Sequence, residues 1–423
     1  LGSKKKNRTL MWVTLLVLGP GLLVAAVLGV FAFMSFTATP LHPNPQELPS
    51  VTQAAPLPKW VNAVAQARAI ARAGVIEQNL PGLSVAVGVD GAIVWAEGVG
   101  SADLGSHELD FTGQLALGKA GTPNPKRVGV TPDTRFRIIG VSMALTSAAV
   151  GLLVESGRLK LDDEIRTYVP EFPQKQWQVT IRQLMGHLAG ISNDGGDEAP
   201  LMARCARTVD GLHELDRFAE RELRFEPGTQ YRYSTYGWVL VSAAIEKAAH
   251  ESFFNFMRKE IFEPLGMHDT LPESWTEPIR NRATFYHPRF AADTRYGPDL
   301  VREGDHSCFA GGGAFLSTPS DLVRFGMAFT SGKLLTPATI ATLQTPQRLA
   351  SGEDTGSGLG WKIETLPLAD GPARAARQDD RRSVGGSTSF LTFPERGLVV
   401  AVMSNITFAD TSSIALKVAQ AFR

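Results

Sequence analysis

Residues 135–147 read Arg-Phe-Arg-Ile-Ile-Gly-Val-Ser-Met-Ala-Leu-Thr-Ser. The stretch passes from an extended Phe-Arg-Ile lead-in to a helix, Ser142–Gly157. Val150, Leu153 and Val154 give that helix an apolar face, and Gly157 stops it. Gly140 carries no nucleophile, and the Met143 thioether accepts no proton at neutral pH. Ser142 stands in Gly140-Val141-Ser142-Met143-Ala144, close to a G-x-S-x-G nucleophile elbow. That elbow belongs to a parallel α/β sheet with a later acid and histidine, and this chain does not read as repeated βα units.

Outward from that stretch, strands gather at the two ends. Leu83–Gly100 reads as a hairpin, with Leu-Ser-Val-Ala-Val-Gly-Val and Ala-Ile-Val-Trp-Ala flanking Asp90-Gly91, a type I′ turn signal. Trp60–Gln78 before it has apolar residues at helical spacing. Near the other end come Ser389–Phe393, a Pro394-Glu395-Arg396-Gly397 turn, Leu398–Ser404 and a helix over Ser413–Phe422. Helix–strand–strand at one end and strand–strand–helix at the other predict an α+β fold. Both termini would build one antiparallel sheet, with a mostly helical subdomain inserted at about residues 140–330. Ser106–Arg127 reads as an inserted loop.

Thr9–Pro40 contains no charged residue, and the apolar run at 10–36 has 27 residues. At helical rise it spans roughly 40 Å, more than the ~30 Å of a hydrocarbon core. That length predicts a transmembrane anchor in preference to a cleaved signal, whose apolar region is ~7–15 residues. Lys4, Lys5, Lys6 and Arg8 make residues 1–9 a basic tail. The positive-inside rule then places the N-terminus in the cytoplasm or matrix, and the soluble domain on the periplasmic or intermembrane-space side. Residues 37–59 hold six prolines and read as an extended spacer, which leaves 60–423 as the folded domain.

Several stretches, in order, resemble the serine β-lactamase and penicillin-binding-protein superfamily (class C-like). Val130–Ile138 resembles its lead-in to the nucleophile. Gly157-Arg158-Leu159-Lys160-Leu161-Asp162-Asp163 resembles GKLxLDD, and Thr180–Ile191 resembles TIRxLLxHxSGI. Phe225-Glu226-Pro227-Gly228 leads into Tyr231–Gly237. Ala310–Gly313 with Phe315–Leu322 resembles aGGlxST..DL. The Tyr-Ser-Thr form of the second motif, with Asn281–Tyr286, looks most like the mitochondrial serine β-lactamase-like branch and its bacterial relatives.

The resemblance implies a serine nucleophile, a lysine base one helical turn on, a tyrosine relay and a pocket-lining Lys/His-x-Gly strand. It places Gly140 at the serine and Met143 at the lysine. Tyr233 is kept, with Thr235 at the usual Asn. The third motif falls at Ser383-Val384-Gly385-Gly386, so Ser383 replaces the Lys/His, and no histidine follows His306 to stand in for it. Loss of a serine-hydrolase nucleophile typically costs about 10⁶ in kcat. Ser142, two residues on, lies roughly 200° around the helix and faces away from the pocket.

The expected function is therefore a membrane-anchored pseudoenzyme, attached through residues 10–36. It acts by binding, as an accessory or structural subunit of a membrane assembly, and the ligand of its cleft is unidentified. The alternative is a serine hydrolase (esterase, peptidase or β-lactam hydrolase) that uses Ser142. Lys+Arg and Asp+Glu both number 42, so no global field points to nucleic acid. Cys205 and Cys308 do not suit a metal cluster and leave one disulfide open. His187 with Asp194 and Asp197 lacks the spacing of a metal motif, and no cofactor is implied.

Overall fold

The computed structural model describes residues 2–53, 56–106, 108, 126–193, 215, 218–273, 278–301, 304–380 and 384–422, with side chains from residue 19 onward. The helices include α1 (Gly2–Thr37), α2 (Val61–Glu77), α3 (Ser142–Glu155), α4 (Ile181–Met185), α5 (Thr235–Ala249), α6 (Pro319–Thr330) and α7 (Thr411–Ala421). The strands are β1 (Ser50–Thr52), β2 (Gly82–Val89), β3 (Ala92–Asp103), β4 (Lys362–Leu368), β5 (Gly371–Asp380), β6 (Ser387–Phe393) and β7 (Leu398–Ser404).

The strands pair antiparallel throughout, in spatial order β1-β3-β2-β7-β6-β5-β4. The N-terminal hairpin thus joins the C-terminal strands through β2 and β7, with Val85 opposite Val402. The central strands are covered on both faces, which explains their nearly unbroken apolar runs. In β7, Leu398, Val400 and Val402 pack with α2 and α7, while Val399, Ala401 and Met403 pack into the helical side. Two glycines let α6 lie close on that side. A Cβ at Gly88 would come 2.6 Å from Val323 Cγ1, and one at Gly326 would come 2.7 Å from Val399 Cγ1.

The hairpin β4–β5 was not expected. Its Ala-rich, charged strands lack a clear apolar alternation, and Pro367 pairs directly with Pro372. Proline tolerates such a position because β4 is the edge strand, where its missing N–H removes no ladder bond. The Asp370-Gly371 turn was the available signal.

Helix α1 runs unbroken through Pro20. Its Gly19–Thr37 portion is apolar and long enough to cross a membrane, as a signal segment or an anchor would be. At its exit, Arg289 Nη2 donates to Met34 O at 3.3 Å and to Thr37 Oγ1 at 2.7 Å. Phe31 meets Phe290 edge-on at 5.0 Å.

The 37–59 segment is not the free spacer its prolines suggest. Leu41 and Leu48 are buried in the core beneath α2, β1 pairs with β3, and Arg72 donates to Leu48 O at 3.0 Å. Three side chains decide this. Leu41 and Leu48 supply enough apolar surface to dock, and Asn79 receives the chain, accepting from Leu41 N at 2.8 Å.

Candidate functional site

The first motif sits where the 135–141 segment leaves β-structure and enters α3. Gly140 is buried. Its N–H donates to Asp380 Oδ2 at 2.9 Å. A Cβ at Gly140 would lie 3.0 Å from that carboxylate oxygen and 3.1 Å from the Tyr233 hydroxyl. Gly140, Tyr233 and Asp380 therefore converge on one point, the position from which a serine side chain would project. The preceding Ile139 has φ +29°, an unusual value for a β-branched residue. A Cβ at Gly313 would come 3.0 Å from Ile139 Cγ2, so the Gly-rich stretch packs against this turn.

Tyr233 is half-buried. Burial raises its phenol above the ordinary tyrosine range, and the Asp380 carboxylate pushes it further the same way. A phenolate relay needs the opposite shift, which a neighbouring cation would supply. The position expected for that cation is Met143, which is fully buried in the apolar core of the helical side.

Thr235 opens α5, and its N–H donates to Asn193 Oδ1 at 2.9 Å. Asn193 also donates through Nδ2 to Tyr233 O at 3.3 Å, so it holds the second motif in place. A Cβ at Gly312 would stand 2.7 Å from Thr235 Cγ2.

His187 carries a structural load. Ser234 N–H donates to its Nδ1 at 3.1 Å, so the ring is neutral with its proton on Nε2. Burial lowers its pKa to about 4. The ring stacks at a tilt on Tyr233, with centroids 4.8 Å apart. Asp194 and Asp197, weighed with His187 as metal ligands, lie outside the described residues. Among the described residues, no group of three or more His, Cys, Asp or Glu side chains is arranged to hold a metal ion.

Ser142 begins α3 with no exposed surface, and its hydroxyl has no hydrogen-bond partner among the described residues. A nucleophile must meet both substrate and a base, and this hydroxyl reaches neither solvent nor a titratable group in the described structure.

In the third motif, Ser383 lies outside the described residues. Gly385 has φ +84°, and a Cβ there would collide with Phe285 Cβ at 2.4 Å, so glycine is required at this turn. Its N–H donates to Thr407 Oγ1 at 2.7 Å. Arg137 ties this turn to the first motif, donating through Nη1 to Val384 O at 2.8 Å. Arg137 is itself buried and paired with Glu273 through Nε at 2.6 Å and Nη2 at 2.9 Å. Arg282 donates to the same carboxylate at 2.5 Å, and both guanidinium groups lie over the Phe285 ring.

Asp380, Asn193, Arg137 and Glu273 are the site residues that sequence reasoning missed. Asn193 follows directly on the Thr180–Ile191 stretch and was within reach of that motif. Arg137 stands in the Phe-Arg-Ile lead-in without its role being legible there; Asp380 and Glu273 act across 240 and 136 residues of sequence, and no local pattern marks them. Cys308 is disulfide-bonded, and Cys205 lies outside the described residues.

A family model described as Beta-lactamase matches residues 67–421. The human mitochondrial serine beta-lactamase-like protein LACTB is 27% identical over 449 aligned residues, covering 82% of this chain and 77% of that protein. Penicillin-binding protein 4* of Bacillus subtilis (strain 168) is 29% identical over 247 residues, 56% of this chain and 53% of its own length. Two solved structures share the fold. D-amino acid amidase from Ochrobactrum anthropi SV3 gives a TM-score of 0.67 at 21% identity, covering 85% of this chain and 98% of that one. The octameric penicillin-binding protein homologue from Pyrococcus abyssi gives 0.63 at 22% identity, covering 84% and 76%.

Proposed function

The chain belongs to the beta-lactamase family, and from that premise we propose that it is a catalytically degenerate, membrane-anchored member that acts by binding. The observation that carries this reading is the point of convergence above Gly140. A hydrolase of this architecture presents a nucleophile there, with a base one helical turn on. Here the first position has no side chain and the second is a buried thioether. The neighbouring hydroxyl of Ser142 is sealed in the core. The rest of the scaffold is intact, including the Asn193 clamp on the second motif and the Arg137 tie to the third. A preserved scaffold without its reacting groups suits recognition of a ligand or a protein partner.

The apolar N-terminal helix supports anchorage, with the basic tail on the cytoplasmic or matrix side and the folded domain across the membrane. A domain held there without chemistry of its own fits an accessory or structural subunit of a membrane assembly. Two measurements on the full chain test this reading. Solubilised from its native membrane in mild detergent, the protein is expected to migrate with partners on a native gel; migration alone sinks the subunit role. Presented with β-lactam, ester and D-amino-acid amide substrates, it is expected to turn over none; turnover abolished by Ser142→Ala establishes the hydrolase alternative instead.

A further inference from the structure

We infer that the anion-binding position of the cleft is filled from within by the Asp380 carboxylate, so that Asp380 decides what the cleft accepts. In acyl-transfer sites, backbone N–H groups at the nucleophile stabilise the oxyanion that develops on the substrate. The corresponding N–H here, that of Gly140, donates instead to Asp380 Oδ2 at 2.9 Å. A carboxylate oxygen has the charge and hydrogen-bonding capacity of that oxyanion. An acyl group or a carboxylate ligand entering the cleft has to displace it.

The identity of residue 140 fits the same arrangement. Gly140 does not adopt a left-handed φ, unlike Gly385 at +84°. Its backbone conformation therefore does not require glycine. What glycine provides is the absence of a Cβ at a point 3.0 Å from the Asp380 oxygen and 3.1 Å from the Tyr233 hydroxyl. The absent side chain at 140 and the carboxylate at 380 are complementary in one space. Asp380 is also held in place. It ends β5 opposite Thr388 of β6, and Thr388 Oγ1 donates to Arg137 O at 3.0 Å, in the same segment that leads to Gly140. Asp380 and Tyr233 are each half-buried, so neither is sealed in the core.

This inference rests on the reading of the cleft as empty of chemistry, and thermal midpoints test it without reference to catalysis. Full-length protein in detergent is compared with Gly140→Ala, Asp380→Ala and the double variant. Gly→Ala at an unstrained position normally stabilises. With Asp380 present, Gly140→Ala is expected to give a less favourable change of midpoint than it does in the Asp380→Ala background, because the added Cβ meets the Asp380 oxygen only in the former. Sodium acetate at ~0.1 M, against sodium chloride of equal ionic strength, is expected to raise the midpoint of Asp380→Ala by a few degrees and to leave the native chain unmoved. A change on Gly140→Ala that is the same in both backgrounds overturns the inference, and Asp380→Ser takes the place of Asp380→Ala should that variant not fold. An Asp380→Ala protein indifferent to acetate overturns it as well. Labelling of Ser142 by a fluorophosphonate would overturn the functional reading while leaving these midpoints where they are.

Discussion

Replacing Glu273 removes the charge that fixes the third motif to the first. The carboxylate accepts two bonds from Arg137, at 2.6 and 2.9 Å, and two from Arg282, at 2.5 and 3.0 Å. The side chains of Arg137 and Glu273 are only 1% and 4% exposed. The two arginines hold the Glu273 carboxyl below its ordinary range against the opposing effect of burial. Removing one partner of such a pair leaves a buried, uncompensated guanidinium, at a cost of about 3–5 kcal/mol. For a folded domain of roughly 360 residues, an unfolding entropy of ~2.1 cal/mol/K per residue amounts to ~0.75 kcal/mol/K. Glu273→Ala should therefore lower the thermal midpoint by about 4–7 °C, read by circular dichroism on the detergent-solubilised protein. An apolar pair, Glu273→Met with Arg137→Met, should recover part of the loss, because well-packed apolar side chains often replace a buried ion pair without penalty, while Arg282, 20% exposed, still loses its partner. A fall of less than ~1 °C for Glu273→Ala would refute the reasoning, as would a double variant no better than the single.

Two further outcomes follow from the same structure. His187 has its pKa lowered to about 4 from an unfolded value near 6.5, so the unfolded chain binds more protons between those values. Its contribution, on the order of 3 kcal/mol, is complete above pH ~6.5 and lost as pH falls toward 4; His187→Gln should flatten that part of the stability–pH curve, and an unchanged slope would show that the ring is not buried neutral. Leu48 is packed in the core beneath α2, so Leu48→Ala should cost about 2–3 kcal/mol in denaturant unfolding; a loss under ~0.5 kcal/mol would return the segment to the status of a free spacer.

The sheet was legible because β2, β3 and β7 are long β-rich runs punctuated by Asp90-Gly91 and Gly397. Their periodicity identifies them without tertiary knowledge. The reading of the first motif as degenerate rested on the ordered matches on both sides that fix its frame. The docking of residues 37–59 was not, because proline content reports backbone stiffness and says nothing of whether Leu41 and Leu48 find a surface. Asp380 was invisible for a related reason. It ends a strand whose own existence was obscured by alanines and paired prolines, and its partner lies 240 residues away. Tyr233 was read as the kept tyrosine of the second motif. The structure adds a carboxylate beside it, which moves its phenol further from the ionised form.

The proposal that no working nucleophile exists is tested most directly by active-site labelling of the full chain in native membranes. A fluorophosphonate and a fluorescent penicillin, each followed by intact-mass analysis, should leave the chain unmodified, because Gly140 offers no side chain and the Ser142 hydroxyl is enclosed. Stoichiometric adduct formation that disappears on Ser142→Ala would contradict the account.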